Sequence, residues 1–179
     1  MTERDGIADA RLLLRCQLGE RAAYDELVRA HAAPLNRHVR RLAGAQAADD
    51  LTQEVWLRAF RGLVRLRDGT RLRPWLYGIA HHVVMDHFRL RHAVPLADLP
   101  DDVAVDLPEN REQTLATLEA ELATLPVIER ETLTLFYLEE LSLADIAAIQ
   151  AVPAGTVKSR LFRARALLRE GLIAKGVMP

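Results

Sequence analysis

Apolar side chains recur along this chain at spacings of three and four, the period of helices that bury one face. Residues 7–18 (IADARLLLRCQL) read as a short helix that Gly19 breaks. From Glu20 a longer helix sets Tyr24, Leu27, Val28 and His31 on one face and runs on through Leu35, Val39 and Leu42 to Gly44. Pro34 is expected to kink or restart it, because proline lacks an N–H and crowds the preceding turn. In the next helix Asp49 and Asp50 fall where negative charge suits a helix N-terminus. Leu51, Val55, Ala59 and Leu63 then form its expected buried stripe. Pro74 opens another helix, with Trp75, Leu76, Ile79, Ala80, Val83 and Val84 on its apolar side. Two more fill 112–140, one marked by Leu115, Leu118 and Leu122, the other by Leu133, Phe136 and Tyr137, with a break at Leu125-Pro126. No segment reads convincingly as a strand.

Residues 141–170 (LSLADIAAIQAVPAGTVKSRLFRARALLRE) read as two helices joined by a tight break. Ser142 and Asp145 have the spacing of a capping box. Pro153 disfavours helix geometry at Val152 and suits the first position of a new helix. In that second helix Val157, Leu161, Ala164 and Leu168 share one stripe, leaving the cations off it. Thr156, Lys158, Ser159, Arg160 and Arg163 lie nearest its start, where a recognition helix meets bases and phosphates. The fold expected is all-α: an N-terminal helical bundle over 1–92, an acidic Pro-rich linker over 93–111 and a helix-turn-helix domain over 112–179.

Charge sharpens this. The 179 residues carry a net −1, which does not suggest a nucleic-acid partner until it is divided along the chain. Residues 1–55 are near balance, 56–92 sum to +6, 93–150 to −11 and 151–179 to +5. Each basic block can neutralise phosphates, and the acidic one avoids them. The first basic block holds a loop, 64–73, with four arginines, leading into the helix that bears Trp75, Tyr77, His81, His82, His87 and Arg89. Aromatic faces, edge donors and cations in that order suit unpaired bases on a single strand. Core packing is the competing role for Trp75. Asp50, Gln53 and Glu54, at helical spacing, form a polar patch that either faces solvent or docks a basic partner. Without such docking the same helix-turn-helix would serve a DNA-binding regulator that never engages a polymerase.

Other chemistry is sparse. The single cysteine, Cys16, lies in an apolar run and excludes a disulfide framework and a cysteine-based zinc site. His82 and Asp86 stand one helical turn apart, beside His81 and His87, but no further ligand set accompanies them, so no metal, cofactor or catalytic group is expected. No apolar stretch reaches membrane-span length and the acidic N-terminus is unlike a signal peptide, so a cytoplasmic protein is expected.

The succession DDLTQEVWLRAF, PWLYGIAHHVVMDHFR, a Pro-rich linker and LSLADIAAIQAVPAGTVKSRLFRARALLR resembles the bacterial sigma-70 family of RNA polymerase sigma factors, in its extracytoplasmic-function (ECF) group, over about residues 8–172. The resemblance implies a non-enzymatic factor that binds core RNA polymerase, through the β′ clamp helices and the β subunit, and directs it to promoters. It implies polymerase contact at Asp50, Leu51, Gln53 and Glu54. It implies minus-ten recognition and melting, with a flipped base, at Arg67, Arg71, Arg73, Trp75, His81, His82 and Arg89. Minus-thirty-five duplex readout falls to Thr156, Lys158, Ser159, Arg160 and Arg163. An anti-sigma factor is implied as a partner, and the acidic linker is implied to thread toward the polymerase active site. The chain departs from the common family pattern at His81-His82, where Arg-Asn is frequent, at Leu66-Arg67-Asp68, where Phe-Arg-Gly is common, and at Ala151, where the turn commonly has glycine.

Overall fold

Helical spacing in the sequence becomes eight α-helices in a computed structural model that describes residues 3–92 and 111–177, and no strand occurs among them. The linker read from the sequence lies outside the described residues as far as Asn110. Helix α1 spans Glu3–Gln17, α2 Arg21–Ala43, α3 Ala45–Gly62 and α4 Leu72–His92. Helix α5 spans Arg111–Thr124, α6 Val127–Leu133, α7 Leu143–Ile149 and α8 Ala154–Ala174. No helix among the described residues is long and apolar enough to cross a membrane.

The first four helices pack around Leu13, Cys16, Leu27, Leu35, Val39, Leu42, Val55, Leu63, Leu72 and Leu76, all buried. Cys16 is a core residue, and burial raises its thiol pKa, which keeps it protonated and inert. Gly19 and Gly44 take left-handed backbone at the ends of α1 and α2, as their positions suggest.

Two local expectations give way to packing. Helix α2 runs unbroken through Pro34. Proline costs one backbone hydrogen bond there, but Leu27 before it and Leu35, His38, Val39 and Leu42 after it are buried in the same core, and that burial holds the helix together. Helix α3 starts at Ala45, four residues before Asp49, so Asp49 and Asp50 sit in its second turn rather than at its N-terminus.

The second set of helices is built on α8. Val157, Leu161 and Ala164 are buried as the stripe requires. Helix α5 departs from its leucine pattern: Leu115 is exposed, while Thr117 and Glu121 are buried. Helix α6 passes into a π-type turn, Thr134–Leu138, in which the Glu139 N–H reaches back to the Thr134 carbonyl. The wider turn leaves Glu139 buried and Glu140 exposed, and Tyr137 faces solvent rather than the core.

Two tight spots generate predictions. A Cβ on Gly69 would stand 2.4 Å from the Ala10 backbone, so Gly69→Ala must push α1 away. It should cost about 1–3 kcal/mol in denaturant unfolding. His38 is fully buried against the Tyr77 ring, with neither ring nitrogen hydrogen-bonded. Burial lowers its pKa against the opposing charges of Glu131 and Glu139, so the folded protein holds it neutral. The unfolded chain gains a proton there below about pH 6.5. Stability should therefore fall as pH drops from 7.5 to 5.5, by about 1 kcal/mol more in the wild type than in His38→Gln, measured by urea melts at each pH.

Candidate nucleic-acid interface

The helix-turn-helix forms as its residues suggest. The Ser142 hydroxyl accepts the Asp145 N–H at 3.1 Å and donates to the Asp145 carboxylate at 2.6 Å. Helix α7 ends at Gln150, and Ala151 takes φ +51, a left-handed conformation that glycine adopts with less strain. The Val152 N–H closes the turn onto the Ala147 carbonyl at 3.0 Å, and Pro153 leads into α8.

On α8, Lys158, Ser159 and Arg163 are exposed, and Thr156 and Arg160 are half-buried. Arg160 donates to the Gln150 side chain at 2.7 Å, which ties the reading helix to the end of α7. Arg163 pairs with Glu129 of α6. Ser159 hydrogen-bonds to the Gly155 carbonyl of the preceding turn. Phe162, unassigned from the sequence, is 74% exposed and stands within a turn of Lys158 and Ser159. The cationic face is thus present, and two of its arginines are already oriented by neighbouring helices.

The patch on α3 is also present. Asp50 and Gln53 are exposed, and Leu51 and Glu54 are half-buried. Glu54 is engaged: it accepts from Arg58 at 2.7 Å, and Arg58 reaches on to Asp86 of α4 at 3.3 Å. Asp86 also meets Arg89, exposed, at 3.4 Å.

The loop before α4 is built by two short 3-10 turns, Leu63–Arg65 and Gly69–Arg71. Asp68 caps the second, accepting the Thr70 hydroxyl and N–H, and those hydrogen bonds lower its carboxyl pKa. Arg67 is exposed. Trp75 packs on Gly62 and is half-buried against the core, so core contact accounts for much of its ring. His82 is exposed, and its Nδ1–H donates to the Gly78 carbonyl at 2.6 Å. His81 meets it edge-on at 5.4 Å.

The remaining groups of this face are paired with carboxylates. Arg71 pairs with Asp145 at 2.8 Å and Arg73 with Glu139 at 3.1 Å. His81 donates from Nδ1 to the Glu131 carboxylate at 2.9 Å. Tyr77, read from the sequence as a face for bases, is buried, and its hydroxyl donates to Glu139. Burial, then the Glu139 charge, raises its pKa, so it stays a donor. Trp75 and His82 line one wall of a cavity of about 340 Å³, and Asp145, Ala148 and Ile149 of α7 line the other. The sequence carried one hint of this arrangement: the acidic block between two basic ones. It did not show which acids meet which cations.

Two family models match the chain: one described as Sigma-70 region 2 over residues 27–93, and one described as Sigma-70, region 4 over residues 115–168. Among curated relatives, the RNA polymerase sigma-H factor of Pseudomonas aeruginosa is 33% identical over 92% of this chain and 93% of its own length. The ECF RNA polymerase sigma factor SigM of Mycobacterium tuberculosis is 35% identical over 90% of this chain and 83% of its own. The ECF RNA polymerase sigma factor SigE of Mycolicibacterium smegmatis is 38% identical over 86% of this chain, which spans 64% of that protein. The solved structure of CnrH in complex with the cytosolic domain of CnrY is similar at 25% identity and TM-score 0.71, over 93% of this chain and 98% of that one. The sigma factor RpoE of Bartonella quintana, solved with the anti-sigma factor NepR, shares the fold at 24% identity and TM-score 0.68, over 83% of this chain and 96% of that one.

One prediction follows from the turn. Ala151→Gly removes the left-handed strain, so it should stabilise the protein by about 1 kcal/mol in denaturant melts.

Proposed function

We propose a division of labour within this chain, which belongs to the sigma-70 family of RNA polymerase sigma factors and to its ECF group. The chain is an initiation factor: it binds core RNA polymerase and directs it to promoters. The finer assignment is by residue. The 1–92 unit docks on the polymerase through Asp50, Leu51, Gln53 and Glu54 of α3. The exposed Asp50 and Gln53 are placed to meet a basic surface such as the β′ clamp helices, and Glu54 can exchange Arg58 for a partner's cation.

The same unit reads and opens the minus-ten element. Arg67, Arg71, Arg73 and Arg89 would follow the backbone, while Trp75 and His82 border a cavity able to receive an unstacked base, and His81 stands edge-on behind His82. The cavity thus offers the His82 ring edge where the family pattern often has an amide.

The 112–179 unit reads the minus-thirty-five element as duplex. The single observation that carries this is the exposed cationic start of α8 behind a capped α7. Lys158 and Arg163 meet phosphates or base edges, Ser159 and Thr156 offer hydroxyls, and Arg160 braces the helix through Gln150. The β subunit is a further expected contact, and a protein inhibitor of the anti-sigma kind is an expected partner. The action is cytoplasmic and calls for no cofactor.

Run-off transcription with purified core polymerase on a genomic library tests the reading. The wild type should direct initiation at discrete promoters. Asp50→Arg with Glu54→Arg should abolish core pull-down at a stability cost of no more than about 1 kcal/mol, the scale of the half-exposed Glu54–Arg58 pair it breaks. Unchanged core binding by that variant sinks the α3 assignment.

A further inference from the structure

A further group of cations shares no residue with the faces assigned to DNA or to polymerase. Arg37, Arg40 and Arg41 lie at helical spacing on one face of α2. Together with Arg130 of α6 they line a cavity of about 410 Å³, in which Glu119 is the one carboxylate. Four guanidiniums less one carboxylate leave an excess of three positive charges in that lining.

The acids nearby hold these arginines loosely. Glu119 stands 3.9 Å from Arg41 with its side chain 70% exposed, and Asp49 stands 3.9 Å from Arg40 with its side chain 81% exposed. Pairs of that length and exposure contribute little and are easily exchanged. Arg37 has no ion pair among the described residues. Arg130 is the fixed member. It donates from Nη1 to the Ala123 carbonyl at 2.9 Å, which holds its guanidinium at the cavity wall. Its Nε is buried and has no hydrogen-bond partner among the described residues. Burial lowers the Arg130 pKa, and no acid among the described residues opposes that. A desolvated cation with an unused donor is costly to keep, and an anion that reaches it removes the cost.

We infer that this cavity is a binding site for a small polyphosphate, a molecule with at least two linked phosphate groups. Guanidiniums meet phosphate oxygens through paired N–H groups, and they do so with less loss of hydration than an ammonium. Four such forks, three from α2 and one from α6, match more than one phosphate, and the excess charge suits a multiply charged anion. Leu122 and Ala123 form an apolar side to the cavity. They keep water from one flank of the anion, which strengthens its attraction to the arginines. The same flank is where a nucleoside attached to the phosphates would rest.

Calorimetric titration of the full chain with inorganic pyrophosphate tests the site. Arg37→Gln with Arg40→Gln removes two exposed cations, so the fold is kept, and it should weaken pyrophosphate binding on the order of tenfold or more. Arg130→Lys keeps the charge and removes the fork, and should weaken it to a similar degree. Arg29→Gln, an exposed cation of the same helix outside the cavity, should bind as wild type does. ADP as a second probe separates the two sources of a phosphate chain. Tighter binding of ADP than of pyrophosphate assigns the site to a nucleotide, and equal binding assigns it to the phosphates alone. A wild type that does not bind pyrophosphate overturns the inference. So does an Arg130→Lys protein that binds as tightly as wild type, or an Arg29→Gln protein that loses as much as the cavity variant, because a diffuse positive field would then suffice. Displacement of pyrophosphate by a single-stranded oligonucleotide gives these arginines to the DNA backbone and overturns it as well.

Discussion

Glu131 is out of reach of water, and a carboxylate persists there only if donors surround it. Its donors come from two directions: His81 on α4, and Gln150 at the end of α7. Removing one partner of such a buried charge typically costs about 3–5 kcal/mol. The position of α4 against α6 and α7 is therefore set by an electrostatic requirement as much as by apolar contact. Glu139 repeats the arrangement about two turns later, with Arg73 and Tyr77 as its donors. The π-type turn matters for this reason, since it brings Glu139 inward while Glu140 stays outside.

The same constraint orders α8, the helix proposed to read DNA. Gln150 serves Glu131 with its amide and Arg160 with its carbonyl, so its orientation is fixed from both ends. One residue later Ala151 must turn the chain through left-handed geometry. Aim of the reading helix thus depends on a buried carboxylate on one side and a strained alanine on the other. The proposed DNA contacts rest on the placement of cations. Each arginine that could meet a phosphate is held by a named acid or carbonyl or stands in solvent.

Much of this was legible in the sequence, and the exceptions follow a rule. Features set by residues within a few positions of each other read correctly: the Ser142–Asp145 cap, the Val157, Leu161 and Ala164 stripe, and the breaks at Gly19 and Gly44. Features decided by distant partners did not. Pro34 obeyed the core rather than its own backbone preference. Leu115 is exposed while Thr117 and Glu121 are buried, because α5 turns a different face to its neighbours than its leucines suggest. The pairs Arg71–Asp145, Arg73–Glu139 and His81–Glu131 join residues 74, 66 and 50 positions apart, which no local pattern encodes. The charge blocks were read as segments that meet or avoid phosphate, not as partners for one another, so the pairing of the acidic block with the first basic one came only with the structure.

The contact between Ala10 and Gly69 has a consequence for how the molecule comes into being. Helix α1 is packed against a loop about 60 residues further along. At a synthesis rate of roughly 5–20 residues per second, α1 waits several seconds before that loop exists. During that interval Leu12, Leu13 and Cys16 can pack on α2, made directly after them, but the face of α1 that meets the loop stays open to water. In a nascent chain that face is open to a chaperone, and the bundle is closed only when the loop arrives.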